Sequence, residues 1–266
     1  MKIGIFDSGI GGISVLNEAF HSLPDEEYIF YADVDHVPYG LKTPEEIRGY
    51  ADGIVESLID MGADCILIAC NTATAVAAEH LRKKFDKTII GMEPAVKPAV
   101  QAAREKTDRI LVMATPVTIR ENKLHALLER VDTDHRVDLL PMPSLVRFAE
   151  DGVFEGEEVD TYIEEQIAVF DKMLYTEVVL GCTHFNYFKP AIRKAFNDKV
   201  TLIDGNKGTI RHLAEKMGLE EKYGFRKDIN IEEINNRTTY IESGRPASDE
   251  RVRYYLGLHE RLEQTL

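Results

Sequence analysis

Short strand-like and helix-like stretches alternate along this chain from one end to the other, which restricts it to an α/β architecture with parallel sheets. Residues 3–6, 28–31, 65–69 and 88–92 read as strands. Helices are predicted over 13–23, from 43–44 to about 61, and from the end of the third strand through 85. Thr43-Pro44-Glu45-Glu46 is an N-cap, a proline at the first helical position and an acid at the third, and Gly62 can end that helix. From Pro94 the pattern restarts, with strands over 109–114, 137–140, 177–180 and 200–203 and a long amphipathic helix over 157–174. The tail adds a strand over 239–242 and a helix over 248–262. We read two α/β domains: 1–94 with 209–266, and 95–208. Right-handed crossovers place ligands beyond the carboxyl ends of the strands.

The two halves share one local text. Residues 66–74 read Ile-Leu-Ile-Ala-Cys-Asn-Thr-Ala-Thr and residues 178–186 read Val-Val-Leu-Gly-Cys-Thr-His-Phe-Asn. Pairing Ile3 with Ile110 and Cys70 with Cys182 gives offsets of 107 and 112 residues. A strand that ends in cysteine and turns into a helix sets the thiol beside free helix N–H groups, which favour thiolate. One such cysteine suggests a nucleophile. Two in matching halves suggest an acid and a base facing each other across a cleft.

The totals are those of a globular protein: 266 residues, 44% hydrophobic and 29% charged. No apolar run is long enough to span a bilayer, and a strand at the amino terminus leaves no room for a signal peptide, so the cytoplasm is expected. A net charge of −14 argues against nucleic acid or an anionic membrane as partner. Three cysteines without CxxC spacing argue against disulfides and a zinc cluster, so no metal is expected.

Asp7 and Ser8 close the first strand, where Asp7 could orient or deprotonate a thiol and Ser8 could bind substrate. The glycines that follow, Gly9, Gly11 and Gly12, lack the last position of GxGxxG and signal a nucleotide only weakly. His184 lies two residues past Cys182 and could share its proton; taken singly, such a histidine more often faces solvent. Glu150 follows the 137–140 strand, and on a helix would ordinarily be a surface carboxylate. Pro38-Tyr39-Gly40 reads as a turn offering backbone N–H groups and a phenol. Cys65 belongs to the core.

Phe-Asp-Ser-Gly-Ile-Gly-Gly-Ile-Ser-Val-Leu from Phe6, Val-Pro-Tyr-Gly-Leu-Lys from Val37, Ile-Ala-Cys-Asn-Thr-Ala-Thr-Ala from Ile68 and Leu-Gly-Cys-Thr-His-Phe from Leu180 together resemble the signature set of the bacterial glutamate racemases. The resemblance implies two flavodoxin-like domains related by pseudo-twofold symmetry, with the active site between them. It implies a cofactor-independent enzyme that interconverts L- and D-glutamate and supplies D-glutamate for peptidoglycan. Three stretches depart from that family's usual text: Phe185-Asn186 where Tyr-Pro is common, Met92-Glu93-Pro94-Ala95 where Glu-Pro-Gly follows the strand, and Asp204-Gly205-Asn206 where Asp-Ser-Gly is frequent.

Racemisation without an electron sink needs one base on one face of the α-carbon and a protonated group on the other. Cys70 and Cys182 can exchange those roles. Asp7 is expected to serve Cys70, and His184 with Glu150 to serve Cys182. Ser8, Asn71, Thr72 and Thr183 can donate to the α-carboxylate; Thr115 and Thr118 are further candidates for substrate contact, with Pro38, Tyr39 and Gly40. A racemase of a related substrate, such as aspartate or a hydantoin, and a non-catalytic glutamate-binding module remain open. Oligomeric state is not legible, and a homodimer is left open.

Overall fold

The computed structural model describes residues 1–105 and 107–264; residues 106, 265 and 266, which the expected domains include, lie outside the described residues. The strands in chain order are β1 (Lys2–Asp7), β2 (Glu27–Ala32), β3 (Cys65–Ile68), β4 (Thr88–Gly91), β5 (Arg109–Ala114), β6 (Val137–Pro141), β7 (Tyr175–Gly181), β8 (Thr201–Ile203), β9 (Thr238–Glu242) and β10 (Arg245–Pro246). They form two sheets, ordered β10-β9-β2-β1-β3-β4 and β6-β5-β7-β8. Every pairing is parallel except that of β9 with β10.

The same order appears twice. In each half the second strand lies outside the first, and the third and fourth follow on its other side: β2-β1-β3-β4 and β6-β5-β7-β8. These are the first four places of the flavodoxin-like order. Both sheets are covered on both faces, which is why their strands read as apolar runs without alternation. Ile3, Ile5 and Phe6 of β1 and Ile110, Leu111 and Val112 of β5 are fully buried. One large core lies between the sheets and draws from both halves; two smaller ones lie under the outer helices. The tail strand β9 pairs with β2 of the first sheet. Among the described residues no helix is long and apolar enough to cross a membrane.

Local sequence sets the boundaries. The helix Pro44–Asp60 begins with a full capping box: Glu46 N–H donates to Thr43 Oγ1 at 3.3 Å, and Thr43 N–H to Glu46 Oε2 at 2.8 Å. It stops at Gly62, whose φ of 85° suits glycine. The helix predicted over 157–174 is shorter than expected and spans Glu157–Ile167. Its buried stripe, Val159, Ile163 and Ile167, ends there. Asp171 then takes the Met173 N–H on its own carboxylate and caps a separate turn, Lys172–Leu174, because a short acidic side chain competes with helix bonding. Phe170 folds back to set its ring edge-on to Tyr175, 5.6 Å away.

Candidate active site

Cys70 lies just past β3 and caps the helix Asn71–Lys84, its sulfur accepting the Ala73 N–H at 3.4 Å. That is one of the donors a helix start leaves without an intrahelical partner. Ser8 stands beside it, with Sγ–Oγ 3.8 Å, and Ser8 Oγ donates in turn to Asp7 Oδ1 at 3.3 Å. The order Cys70–Ser8–Asp7 puts a hydroxyl between thiol and carboxylate. Asp7 also accepts from Gly9 N–H at 3.1 Å and, on its other oxygen, from Thr183 Oγ1 at 2.9 Å. It is wholly buried, and burial lifts its carboxyl above the usual range against the pull of His184 and the bonds from Thr183 and Gly9. Burial, with the charge of Asp7, pushes the Cys70 thiol well up, so Cys70 rests protonated.

Cys182 lies just past the equivalent strand, β7. No α-helix follows at once; a 3-10 segment, Thr183–Phe188, intervenes before the helix Lys189–Ala195. This tighter winding brings His184 back toward the sulfur, with Nδ1 3.8 Å from Cys182 Sγ. The other ring nitrogen, Nε2, donates to Glu150 Oε1 at 2.7 Å. His184 is only 1% exposed rather than facing solvent. Burial alone would lower its pKa, but the bonds to Cys182 and Glu150 outweigh it, so the ring titrates well above its ordinary value and stands as imidazolium. Glu150, at the end of the helix Pro143–Glu150, is no free surface carboxylate: it also accepts the Ile10 N–H at 2.8 Å.

That last bond explains the glycines. The loop after β1 is pressed against the second half, where a side chain has no room. A Cβ on Gly9 would come within 1.9 Å of Glu150 Oε1, and one on Gly11 within 2.5 Å of His184 Nδ1. These glycines serve close approach between halves and not a phosphate. Tyr187 OH donates to Ile10 O at 2.8 Å across the same seam. Two of the stretches that depart from the family text meet nearby: Asn186 Nδ2 donates to Ser14 Oγ at 3.3 Å, and Asn206 Nδ2 to Ser14 O at 3.0 Å.

Thr72, Thr115 and Thr118 form a closed ring of hydroxyls, 2.9, 3.0 and 3.2 Å apart, with Thr72 from the first half and the others from the second. Asn71 sends its Nδ2 to Met92 O at 3.4 Å, leaving its buried Oδ1 without a protein partner. Tyr39 commits its phenol to Asp33 Oδ2 at 2.6 Å, while Gly40 lies so close to Thr115 that a Cβ would be 2.8 Å from Thr115 Cβ. Asp33 is a residue the motifs did not single out. It is buried, and it also accepts from His36 Nδ1 at 2.8 Å and Ser243 Oγ at 2.9 Å, which pins the turn carrying Pro38. The one hint in the sequence was an acid directly after β2. Cys65 is fully buried in β3, as expected of a core residue.

The Asp/Glu/Hydantoin racemase model matches residues 8–213. The chain is 45% identical to the glutamate racemase of Lachnospira eligens, over 99% of this chain and 98% of that protein. It is 41% identical to glutamate racemase 2 of Bacillus subtilis, over 100% of this chain and 97% of that protein. It also resembles the structure of Escherichia coli glutamate racemase in complex with L-glutamate and the activator UDP-MurNAc-ala, with a TM-score of 0.79 at 26% identity, covering 97% and 94% of the two chains. The chain belongs to the Asp/Glu/hydantoin racemase family, and within it to the glutamate racemases.

Proposed function

We propose that this protein interconverts L- and D-glutamate by transferring the α-proton between two cysteines, and that its D-glutamate supplies peptidoglycan synthesis. The observation that carries the mechanism is the pairing of two thiols, each at the end of the third strand of its repeat and each with a separate set of helpers. The His184 imidazolium supplies the countercharge that a Cys182 thiolate needs, and Cys70 rests as thiol. Cys182 Sγ takes the α-proton from one face of the substrate while Cys70 S–H delivers its own proton to the other. The product leaves with Cys182 as thiol and Cys70 as thiolate, the form suited to the opposite enantiomer.

Negative charge that builds on the α-carboxylate in the transition state needs fixed donors. We assign this role to the backbone N–H groups at 71–72 and at Gly40, joined by Ser8, Thr72 and Thr183 once their hydroxyls turn from their present acceptors to the substrate. Glu150 orients His184, and Asp7 acts on Cys70 through Ser8. We take residues 1–94 with 209–266 and residues 95–208 as the two domains that close on the substrate. Free thiols at the site suit a reducing compartment, and we place the protein in the cytoplasm.

Circular dichroism on L-glutamate, then on L-aspartate, after exhaustive dialysis tests this reading. We expect the glutamate signal to decay to zero without pyridoxal phosphate, metal or nucleotide. Racemisation of aspartate alone makes it a relative's enzyme, and inertness toward both makes it a binding module.

A further inference from the structure

A groove of about 380 Å³ opens beside the site, between the turn that carries Pro38 and the helix Pro143–Glu150. One lip is apolar: Val37, Pro38 and Leu41, the last 70% exposed. The other is the helix face of Val146, Arg147 and Glu150, followed by Asp151. Arg147 and Glu150 are three residues apart and share that face. The groove therefore runs from solvent to the carboxylate that holds His184.

Its charges pose a problem for the substrate. Glutamate carries two carboxylates and one ammonium, and a path through this groove takes it past Glu150 and Asp151 in a chain of net charge −14. Among the described residues lining the groove, Arg147 is the only cation. Among the described residues it has no ion-pair partner, and its guanidinium rests 5.8 Å from the Phe148 ring centre. Several other surface cations sit on nearby acids, as Lys123 does on Glu93 and Arg245 on Asp35.

We propose that Arg147 is a substrate-binding residue at the mouth of the site, which takes a carboxylate of the entering or leaving glutamate and offsets the repulsion of Glu150 and Asp151. This rests on glutamate being the substrate. A residue that lowers the free energy of bound substrate and transition state alike is read in KM and not in kcat. A charge interaction across a few ångströms at a solvated mouth corresponds to about a three- to tenfold effect.

The test is steady-state racemisation by wild type, R147Q, R147E and R147K, from about 0.01 M to about 1 M salt, with thermal melts as control. Across that range the screening length falls from roughly 30 to 3 Å. We expect KM for both enantiomers to rise about three- to tenfold in R147Q at low salt and further in R147E. Kcat should hold, R147K should keep a low KM, and the differences should close at high salt. A wild-type KM in R147Q, a difference that survives high salt, or a parallel fall in kcat each overturns the proposal while glutamate racemisation by the wild type stands. A wild type inert on glutamate removes the function and this proposal together.

Discussion

Gly11→Ala tests how tightly the two halves of the site depend on each other. The added Cβ would lie 2.4 Å from Thr183 Oγ1, 2.5 Å from His184 Nδ1 and 2.7 Å from His184 backbone N. Ordinary contacts for carbon begin near 3.5 Å, so the 183–184 segment must retreat by roughly 1 Å. The hydroxyl could rotate aside, but a backbone nitrogen cannot. His184 is held by Glu150 at 2.7 Å and reaches Cys182 at 3.8 Å, so a retreat of that size breaks one contact or the other. Misplacing a catalytic group by about 1 Å costs on the order of 10²-fold in rate. Overpacking adds a stability loss of about 1–3 kcal/mol, which lowers Tm by roughly 2 to 10 °C in a chain of this size. The assay is kcat from each enantiomer by circular dichroism, beside a melt. Gly53→Ala is the control: it is helical, a Cβ there meets nothing within 4 Å, and it should gain about 1 kcal/mol with activity intact. A folded Gly11→Ala protein with kcat within about twofold of wild type would show that His184 does not work from this position.

Cys70→Ser and Cys182→Ser should each abolish racemisation, whereas Cys65→Ala should leave kcat unchanged and cost about 1–2 kcal/mol of core stability; denaturant titration beside the activity assay checks both. Asp7→Asn and His184→Asn should alter primary deuterium effects on kcat/KM differently from the two enantiomers, because Asp7 is linked to Cys70 through Ser8 and His184 contacts Cys182 directly. Equal changes in both mutants from both starting materials would make these residues substrate binders. His184 also gives a pH signature. Its pKa is raised on folding, so its stabilisation is complete below the unfolded value of about 6.5 and is lost as pH rises through the folded value. The stability gap between wild type and His184→Asn should therefore shrink from pH 6 toward the alkaline range. A gap that widens would contradict the imidazolium.

Much of this architecture is legible in the sequence. Parallel strands buried on both faces announce themselves as apolar runs, and all four strands placed in 3–92 pair as neighbours in one sheet. The positions of Cys70 and Cys182 are legible because a cysteine after such a run must lie at the sheet's carboxyl edge. Effects across the seam were not legible. Nothing in Phe-Asp-Ser-Gly-Ile-Gly-Gly says that Gly9 and Gly11 make room for Glu150 and His184, residues more than 130 positions away. Nor does a surface-like helix over 143–150 reveal that Ile10 N–H holds its last carboxylate. The over-long helix at 157–174 failed for a local reason: Asp171 offered its own carboxylate to the backbone.

The hydroxyl ring of Thr72, Thr115 and Thr118 bears on how readily the two halves would part there. Two of its bonds, Thr72 to Thr115 and Thr72 to Thr118, cross between the halves, and both partners are uncharged. Parting them lets water take over each bond, at a net cost of about 0.5–1.5 kcal/mol apiece. Unlike the bonds from Thr183 to Asp7 and from Ile10 to Glu150, they strip no carboxylate of its donor. The seam is thus fastened unevenly, firmly around the acids and lightly at the threonines. An edge that shuts without a charge to desolvate can also yield quickly, as a site must when its ligand has to enter and leave in every turnover.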